Sequence, residues 1–339
     1  MDDRYSRQIL FAGIGAEGQE RLANSRAAII GCGALGSAQA EALARAGVGH
    51  LRIIDRDFVE ASNLQRQTMF TENDARDRLP KAVACVKRIA LINSEIETEA
   101  EVVDVNHTNV EELIKDCDVV LDGTDNFATR YLINDACVKH NVNWIYGAAV
   151  GSYGVTITVR PHVTPCLRCV FEEAPPAGSS PTCDTAGVIM PIISVVAAVQ
   201  VTEALKLLTG RIEKLHNSLM QFDVWSNEWR RIALKAPLPE CATCGLGKYE
   251  TLEAEAADFA AALCGRNAVQ VSPQKPTQLD LNALSEKLRP IGEVKVNDYL
   301  LRCTVGEYEL TVFQDARSII RGTDDVTTAR SLYAKYIGT

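Results

Sequence analysis

The sequence predicts an α/β fold: a mostly parallel sheet that antiparallel strands continue, followed by a small C-terminal α+β domain. Three observations predict it. Strand and helix patterns alternate over residues 26–150, which is typical of parallel strands joined by helices. A glycine-rich loop separates the first strand of this series from its first helix. Beyond residue 151 strands follow one another more directly, and the tail has a pattern of its own.

The first half of the chain carries the alternating pattern. Short apolar runs bounded by polar turns predict strands, and apolar residues at helical spacing predict helices. Pro80 suits the first position of the second long helix. The predicted strands are 26–31, 50–55, 97–105, 117–125 and 144–150, and the predicted helices are 35–47, 80–93 and 127–141.

The second half contains antiparallel strands, one apolar helix and a separate tail. Its predicted elements are strands at 153–160 and within 218–234, a Pro/Gly/Ser-rich loop over 172–182, a helix over 189–208 and a linker over 235–254. The nearly apolar run 187–199 is too short to cross a bilayer, so we expect a buried helix. The tail is predicted to hold strands at 267–272, 299–305 and 308–313, a helix over 279–288 and a last helix from about 324, capped by Thr323 or Asp324. We expect domains at 1–245 and 255–339.

Composition limits the classes of partner. The 339 residues are 47% hydrophobic and 23% charged, as in ordinary globular proteins, and the net charge is −9. That charge provides no general attraction for nucleic acid or for an anionic membrane. The N-terminal "MDDRYSRQ" lacks the apolar segment of a secretory signal, and eleven cysteines suit reduced thiols, so we expect a cytoplasmic protein. The five histidines fall in no motif and are predicted to be structural.

The glycine loop "GCGALG" predicts a Rossmann-like nucleotide site. Gly31, Gly33 and Gly36 have the spacing of a dinucleotide fingerprint between a strand and a helix. Gly33 lets backbone approach a ligand, and the helix N-terminus favours an anion. Asp55 ends the second strand, where an acid can bind ribose hydroxyls. These features suit NAD and other adenine nucleotides equally, and a tight turn required only for packing is the alternative.

The side chains that follow favour ATP over NAD. Lys81 falls in the first turn of a predicted helix, where the helix dipole disfavours a cation unless an anion binds there. An ordinary surface lysine is the alternative. Asp125 follows a buried strand and suits Mg²⁺, although Asp125 or Asn126 could equally cap the next helix. NAD requires neither a metal nor this lysine, whereas ATP in a phosphoryl-displacing reaction requires both.

Two C-x₂-C pairs predict a metal centre. Cys166 with Cys169 and Cys241 with Cys244 have the spacing of a closed, structural Cys₄ zinc site. Redox-active dithiols are the alternative. The remaining cysteines apart from Cys183 are predicted to be small buried hydrophobic residues: Cys32, Cys85, Cys117, Cys137, Cys264 and Cys303. Trp225 and Trp229 are assigned to the core.

These motifs together resemble one family. "RYSRQ", "GCGALGS", "RAGVGHLRIIDRDFVEASNLQRQ", "PKA", "DGTDNFATRYLIND" and "CLRC…CATCG" are similar to the ThiF/MoeB family, relatives of ubiquitin-activating enzymes, over about residues 1–245. The resemblance implies MgATP-dependent adenylylation of the C-terminal glycine carboxylate of a ubiquitin-like sulfur carrier (ThiS-like, ending in Gly-Gly), with release of pyrophosphate. A carboxylate is ionised at neutral pH, so the attack requires no general base. The form "TCDTAG" resembles the branch that serves thiazole synthesis for thiamine.

The resemblance also implies roles for individual residues. Asn63, Arg66 and Lys81 would bind the phosphates, and Asp125 would hold Mg²⁺. Arg7 resembles a residue that reaches across a homodimer into the partner's ATP site; a surface arginine in a frayed N-terminal arm is the alternative. The implied nucleotide-binding residues are Gly31, Gly33, Ala34, Gly36, Asp55, Ser62, Asn63, Leu64, Gln65, Arg66, Lys81, Asp125 and Asn126.

Cys183 is the remaining candidate. It follows a Pro/Gly/Ser-rich loop and precedes an apolar helix, whose positive end lowers the pKa of a nearby thiol. The resemblance implies a covalent link to the carrier's activated C-terminus. A cysteine that packs and never reacts is the alternative.

Other functions stay open at this point. The same reaction on the molybdopterin synthase carrier (MoaD-like) is the nearest alternative. An NAD(P)-dependent oxidoreductase and a zinc-held scaffold that binds a ubiquitin-like protein without chemistry are the others. A cysteine desulfurase or sulfurtransferase is a further candidate partner, and partner docking is a hypothesis for the tail.

Overall fold

A mixed eight-stranded sheet is the centre of the first of two units. The computed structural model describes residues 3–173, 183–253, 260–263, 267–273 and 277–338, and its units are Met1–Ala254 and Glu255–Thr339. The strands of the first unit are β1 (Arg26–Ile30), β2 (His50–Ile54), β3 (Glu97–Glu101), β4 (Val119–Asp122), β5 (Asn143–Val150), β6 (Tyr153–Val159), β7 (Ser218–Asp223) and β8 (Glu228–Ala233). They lie in the order β3-β2-β1-β4-β5-β6-β7-β8, parallel as far as β5 and antiparallel beyond it. The predicted fold class is confirmed.

Helices cover both faces of this sheet. They are α1 (Ser6–Leu10), α2 (Gly15–Ala23), α3 (Ala34–Ala46), α4 (Glu72–Asp77), α5 (Lys81–Ile92), α6 (Val110–Ile114), α7 (Phe127–Lys139), α8 (Leu167–Val170), α9 (Cys183–Ala186), α10 (Met190–Leu208) and α11 (Glu250–Glu253). Short 3₁₀ helices lie at Asp3–Tyr5, Ala61–Asn63 and Ile212–Lys214. Pro80 is the N-cap of α5, not its first helical residue as predicted, because its ψ of 136° is extended.

Alternating side chains of the parallel strands fill two cores. Ile29 of β1 is fully buried in the layer that includes Leu43 of α3 and Ile89 of α5. Its neighbour Ile30 faces the opposite layer, with Ile133 of α7. A strand buried on both faces reads as a continuous apolar run, which is the pattern in "AAII".

The register places the ends of three strands side by side. Ile30 of β1 pairs with Ile54 of β2 on one side and with Asp122 of β4 on the other. The three loops that follow these strands therefore start at one level, at the carboxyl edge of the sheet. Ligands of open α/β folds bind at this edge, where the strand order changes direction.

Helix α10 is a core element. It is the one helix among the described residues that is long and apolar enough to cross a membrane, and half of its most apolar window is buried. The buried Gln200 amide donates to Asp122 O and Ile145 O of the sheet, both at 3.0 Å. The buried Glu203 accepts a hydrogen bond from Thr158 Oγ1 at 3.0 Å. These contacts confirm the predicted buried helix.

The prediction that two tryptophans belong to the core is wrong. Trp225 is 82% exposed between β7 and β8, and Trp229 is 56% exposed on β8. Strand β8 is the edge of the sheet and all six of its residues are exposed. Trp229 still packs edge-on against the buried Phe222, with 5.0 Å between ring centroids.

The second unit is an antiparallel sheet with two helices. Its strands are β9 (Ala260–Leu263), β10 (Ala268–Val271), β11 (Glu293–Val296), β12 (Leu300–Val305), β13 (Tyr308–Phe313) and β14 (Ser318–Arg321), and its helices are α12 (Leu281–Leu288) and α13 (Val326–Tyr336). Leu284 of α12 and Tyr333 of α13 pack on the core around Leu310. Neither Thr323 nor Asp324 caps α13: Asp325 does, because its carboxylate accepts from the Thr327 and Thr328 amides. Cys264 lies outside the described residues.

Candidate functional site

The glycine loop connects β1 to α3 at the carboxyl edge of the sheet. Gly31 has φ +88°, and a Cβ there would lie 2.7 Å from the carbonyl oxygen of Gly123. A Cβ on Gly36 would lie 1.8 Å from the carbonyl oxygen of Gly31. Close packing thus accounts for these two glycines. A Cβ on Gly33 would have no heavy atom nearer than 3.9 Å, so packing does not require Gly33 and the space beside it suits a ligand.

The N-terminus of α3 offers donors to that space. Gly33 is the N-cap and provides no side-chain acceptor, and no acidic residue lies in the first turn. The first amide groups of a helix lack partners within the helix and carry partial positive charge. This end of α3 can therefore accommodate an anion such as a phosphate.

Asp55 lies directly after β2, beside the glycine loop. Its carboxylate accepts hydrogen bonds from the Cys32 and Asp57 amides, both at 2.6 Å. Burial raises the pKa of this carboxyl, and the charge of Lys81 opposes that shift. The contact with Cys32 fixes the acid to the loop, in a position that suits a ribose.

Lys81 is the first residue of α5, and its side chain is only 8% exposed. The ammonium lies 3.4 Å from an oxygen of Asp57, and the Lys81 amide donates to the Asp57 carbonyl at 2.9 Å. A surface lysine is excluded by this burial. The cation is held at a helix N-terminus by a carboxylate, within electrostatic range of Asp55.

The segment after Asp55 approaches the glycine loop through a residue that the sequence did not single out. Gln67 is 4% exposed, its Oε1 has no hydrogen-bond partner among the described residues, and its Nε2 lies 3.9 Å from the Cβ position of Gly33. Asn63 is buried and accepts from the Glu60 amide at 3.1 Å, while half-buried Arg66 donates to the Ser62 carbonyl at 3.0 Å. Leu64 is half-buried, and Ser62 and Gln65 are exposed.

Asp125 and Asn126 have different surroundings. Asn126 caps α7 by accepting from the Thr129 amide at 2.9 Å, so the capping interpretation applies to Asn126. Asp125 is exposed, and its charge acts on Arg56 together with that of Asp57. The exposed carboxylate of Asp125 fits Mg²⁺, which binds one or two protein carboxylates and completes its shell with water and phosphate oxygens.

Arg7 does not lie with these residues. It is exposed on α1, whose Gln8 donates to the carbonyl of Ala46 at 2.8 Å. Ala46 is the last residue of α3, whereas the glycine loop lies at the start of that helix. A helix of 13 residues is about 20 Å long, so Arg7 is beyond reach of the site in its own chain.

The four predicted zinc ligands converge on the face of the sheet that α7 covers. The sulfurs of Cys166 and Cys241 lie 3.6 Å apart, those of Cys169 and Cys244 lie 3.3 Å apart, and all four lie within 4.8 Å of one another. Sulfurs bound tetrahedrally at the usual Zn–S length of about 2.3 Å would have similar spacing. Burial raises the pKa of Cys166 to about 12, so a bound cation is what would favour its thiolate.

Helix α7 holds both cysteine pairs. Asn134 accepts a hydrogen bond from the amide of Leu167, between the first two cysteines, at 2.8 Å. Asp135 accepts from the hydroxyl of Thr243, between the second two, at 2.7 Å. Both acceptors are fully buried. A pair of adjacent helix residues thus aligns two knuckles that are 75 residues apart in the chain.

Cys183 is the first residue of α9, and its side chain lies outside the described residues. The following segment is tied to the end of β5, because the amide of Gly151 donates to the carbonyl of Gly187 at 2.8 Å. The reactivity predicted for Cys183 stays a prediction.

Comparison with known proteins identifies the family. A model of the ThiF family matches residues 5–243. The chain is 47% identical over 340 residues to the sulfur carrier protein ThiS adenylyltransferase of Bacillus subtilis, covering 100% of both chains. It is 36% identical over 269 residues to the sulfur carrier protein adenylyltransferase of Thermus thermophilus, covering 78% of this chain and 96% of that one.

A solved structure shares the fold. The crystal structure of E. coli MccB with MccA-N7isoASN matches with a TM-score of 0.64 at 24% identity, over 72% of this chain and 76% of that chain. Such a likeness shows the fold alone. The matches over the sequence lead to one conclusion: the chain belongs to the ThiF/MoeB family of adenylyltransferases and, within it, to the ThiF branch.

Proposed function

We propose that this protein uses MgATP to adenylylate the C-terminal glycine of a ThiS-like sulfur carrier, for thiazole synthesis in the thiamine pathway. The full-length similarity to a ThiS adenylyltransferase supports the activity. One structural observation carries the assignment of the site: Gly33, Asp55 and Asp125 lie on three loops that leave the sheet at one level, and Lys81 at the start of α5 is bonded to the second of these loops through Asp57. The open space beside Gly33 is where we place the nucleotide.

The reaction joins two anions. A carboxylate oxygen of the carrier bonds to the α-phosphorus, the bond from that phosphorus to the bridging oxygen breaks, and its electron pair leaves with pyrophosphate. Lys81 and Arg66 would offset the charge of the triphosphate, and the first amides of α3 would donate to its oxygens. Asp125 would hold Mg²⁺, which supplies further neutralisation of phosphate charge when bound. Asp55 would orient the ribose.

A homodimer would complete the site with Arg7. This residue is exposed, and its neighbour Gln8 contacts the end of α3 that lies about 20 Å along the helix from the glycine loop of its own chain. Leu10 and Phe11 beside it are 73% and 65% exposed, and large exposed apolar side chains favour a protein contact. We place Arg7 of each protomer in the ATP site of its partner.

Zinc and location complete the proposal. The four cysteines would hold one structural Zn²⁺, since their sulfurs have tetrahedral spacing and no open coordination position is required. A cytoplasmic location is proposed because the described cysteines are unpaired thiols. A cysteine desulfurase or sulfurtransferase is a proposed partner for the later delivery of sulfur.

The test is ATP–pyrophosphate exchange with carriers supplied in turn. Exchange that depends on Mg²⁺ and on the thiamine-pathway carrier supports the proposal. Exchange with the molybdopterin carrier alone would support the MoaD-like alternative. No exchange with either carrier, together with Mg²⁺-independent binding of a nicotinamide dinucleotide that survives Lys81→Met, would support the oxidoreductase. Carrier binding that survives Asp125→Ala without turnover would support the scaffold.

A further inference from the structure

Arg130 is a buried cation outside the set of residues assigned to ATP. It lies on the first turn of α7 and is 5% exposed. Its guanidinium lies over two rings, 5.4 Å from the centroid of Phe127 and 5.3 Å from that of Tyr146. Its Nε lies 3.3 Å from Oδ2 of the fully buried Asp122. This arrangement fixes the orientation of the planar group.

Thr124, the residue before Asp125, is held by hydrogen bonds at its amide, its hydroxyl and its carbonyl. Arg130 Nη2 donates to the Thr124 carbonyl at 2.8 Å. Asp122 Oδ1 accepts from the Thr124 amide at 2.8 Å and from its hydroxyl at 2.7 Å. The Thr124 carbonyl belongs to the same peptide unit as the Asp125 amide. Arg130 therefore holds the backbone immediately before the proposed Mg²⁺ ligand.

The same loop interlocks with the glycine loop. A Cβ on Gly123 would lie 2.2 Å from the carbonyl oxygen of Gly31 and 2.9 Å from the Cα of Gly36. The two loops are thus in backbone contact without intervening side chains. A displacement of Gly123 and Thr124 would move the nucleotide loop as well as Asp125.

We propose that Arg130 is a positioning residue. With Asp122 as its partner, it holds the Asp125 carboxylate and the glycine loop in the relative positions that binding of Mg²⁺ and the triphosphate requires. This inference rests on the adenylyltransferase function proposed above. Lysine would keep the charge but lacks the planar fork that contacts Asp122 and Thr124 together. Substitution of groups that orient a metal ligand typically costs about 10–100-fold in metal affinity or activity.

The test is a double-mutant cycle of Arg130→Lys and Asp125→Asn on the full chain. Two readouts are used: the Mg²⁺ dependence of binding of a non-hydrolysable ATP analogue, and amide hydrogen exchange of the nucleotide-free protein. We expect Arg130→Lys to weaken Mg²⁺-dependent binding about 10–100-fold. The Mg²⁺ dependence of binding in the double variant should be no weaker than in Asp125→Asn alone, because Arg130 acts on Mg²⁺ through Asp125. In Arg130→Lys the Thr124 amide, which donates to Asp122, should exchange at least about tenfold faster than in the wild-type protein.

Arg52→Lys is the matched control. Arg52 lies on β2 with its side chain 11% exposed, and it pairs with Glu99 at 2.7 Å and Asp116 at 2.9 Å, away from the carboxyl edge. The substitution Arg52→Lys should leave Mg²⁺-dependent binding of the ATP analogue unchanged. Thr124→Val is the milder second variant, since it removes only the hydroxyl bond to Asp122; it should shift Mg²⁺ dependence in the same direction.

Two results would overturn the inference: effects of Arg130→Lys and Asp125→Asn on the Mg²⁺ dependence that multiply, or unchanged exchange of the Thr124 amide. A wild-type protein that shows neither nucleotide binding nor pyrophosphate exchange would instead reject the proposed function. The two failures are therefore distinguishable.

Discussion

At the scale of single residues, Asp55 makes a prediction about pH. Burial raises the pKa of this carboxyl, so on acidification it takes up a proton above the ordinary aspartate range. Only the carboxylate accepts fully from ribose hydroxyls. Affinity for an ATP analogue should be complete above the raised pKa and fall as pH drops through it. The contribution of Asp55 to the stability of the free protein has the opposite pH dependence. It is present at low pH and is lost as pH rises through the raised pKa, because the folded form binds this proton more tightly than the unfolded chain.

Asp55→Asn tests this prediction. We expect it to weaken analogue binding at neutral pH by about 10–100-fold, the range for hydrogen bonds to a charged group, and to remove the acidic limb. Titration calorimetry over a pH series measures both. Asp118→Asn is the control, since Asp118 also accepts a backbone hydrogen bond, at 2.8 Å from the Arg26 amide, at the opposite end of the sheet. If the affinity of Asp55→Asn for the analogue still fell at acidic pH as that of the wild-type protein does, the assignment of Asp55 to the ribose would be contradicted.

The sequence predicted individual residues where a local pattern determines the environment. The spacing of the glycines identified Gly33 as a ligand-binding candidate. Lys81 became a candidate phosphate ligand because it falls in the first turn of a predicted helix. Gln67 and Arg130 lie inside quoted motifs, yet nothing local marks them. Gln67 is buried because its segment folds back on the glycine loop, and Arg130 is buried because β5 supplies Tyr146. Both depend on contacts between distant parts of the chain.

At the scale of elements, the two cysteine knuckles make a prediction about zinc. The purified protein should contain about one zinc per chain. Cys244→Ser should lose the metal and lower the melting temperature, because the segment holding Cys241 and Cys244 would then depend on the hydrogen bonds to α7 alone. Elemental analysis and calorimetry measure these effects. Cys303→Ser in the second unit should keep its zinc. Zinc retained in Cys244→Ser, or disulfides in the native protein, would contradict the site.

Element prediction succeeded where periodic patterns were long. Helices α3, α5, α7 and α10 each span more than ten residues and were expected within two residues of their bounds. Helices α1, α2, α4 and α6 were missed, because five to nine residues provide little apolar periodicity. Trp225 and Trp229 were misplaced for another reason. Their exposure follows from the edge position of β8, which depends on strand order and not on local pattern.

At the scale of the whole molecule, Arg7 makes a prediction about assembly. Arg7→Ala and Lys81→Met should each be inactive in pyrophosphate exchange. Mixed and allowed to exchange subunits, they should regain about one quarter of the wild-type activity, because each mixed dimer holds one intact site. Each variant incubated alone is the control. No recovery in a mixture shown to contain mixed dimers would place Arg7 outside the partner's site.

The second unit makes a separate prediction. It has its own core, and the proposed site lies entirely in the first unit. Deletion of residues 255–339 should therefore leave the rate of adenylation unchanged. Loss of folded protein, or of exchange in a folded truncated protein, would contradict an accessory role.

The most direct measurement is mass spectrometry of a purified Gly-Gly carrier incubated with this protein and MgATP. We predict that the carrier gains one adenylyl group at its C-terminal glycine and that one pyrophosphate is released for each. A carrier lacking that glycine should stay unmodified, as should the intact carrier with Lys81→Met. An intact carrier that stays unmodified with the wild-type protein, or a modification that does not require the terminal glycine, would contradict the account.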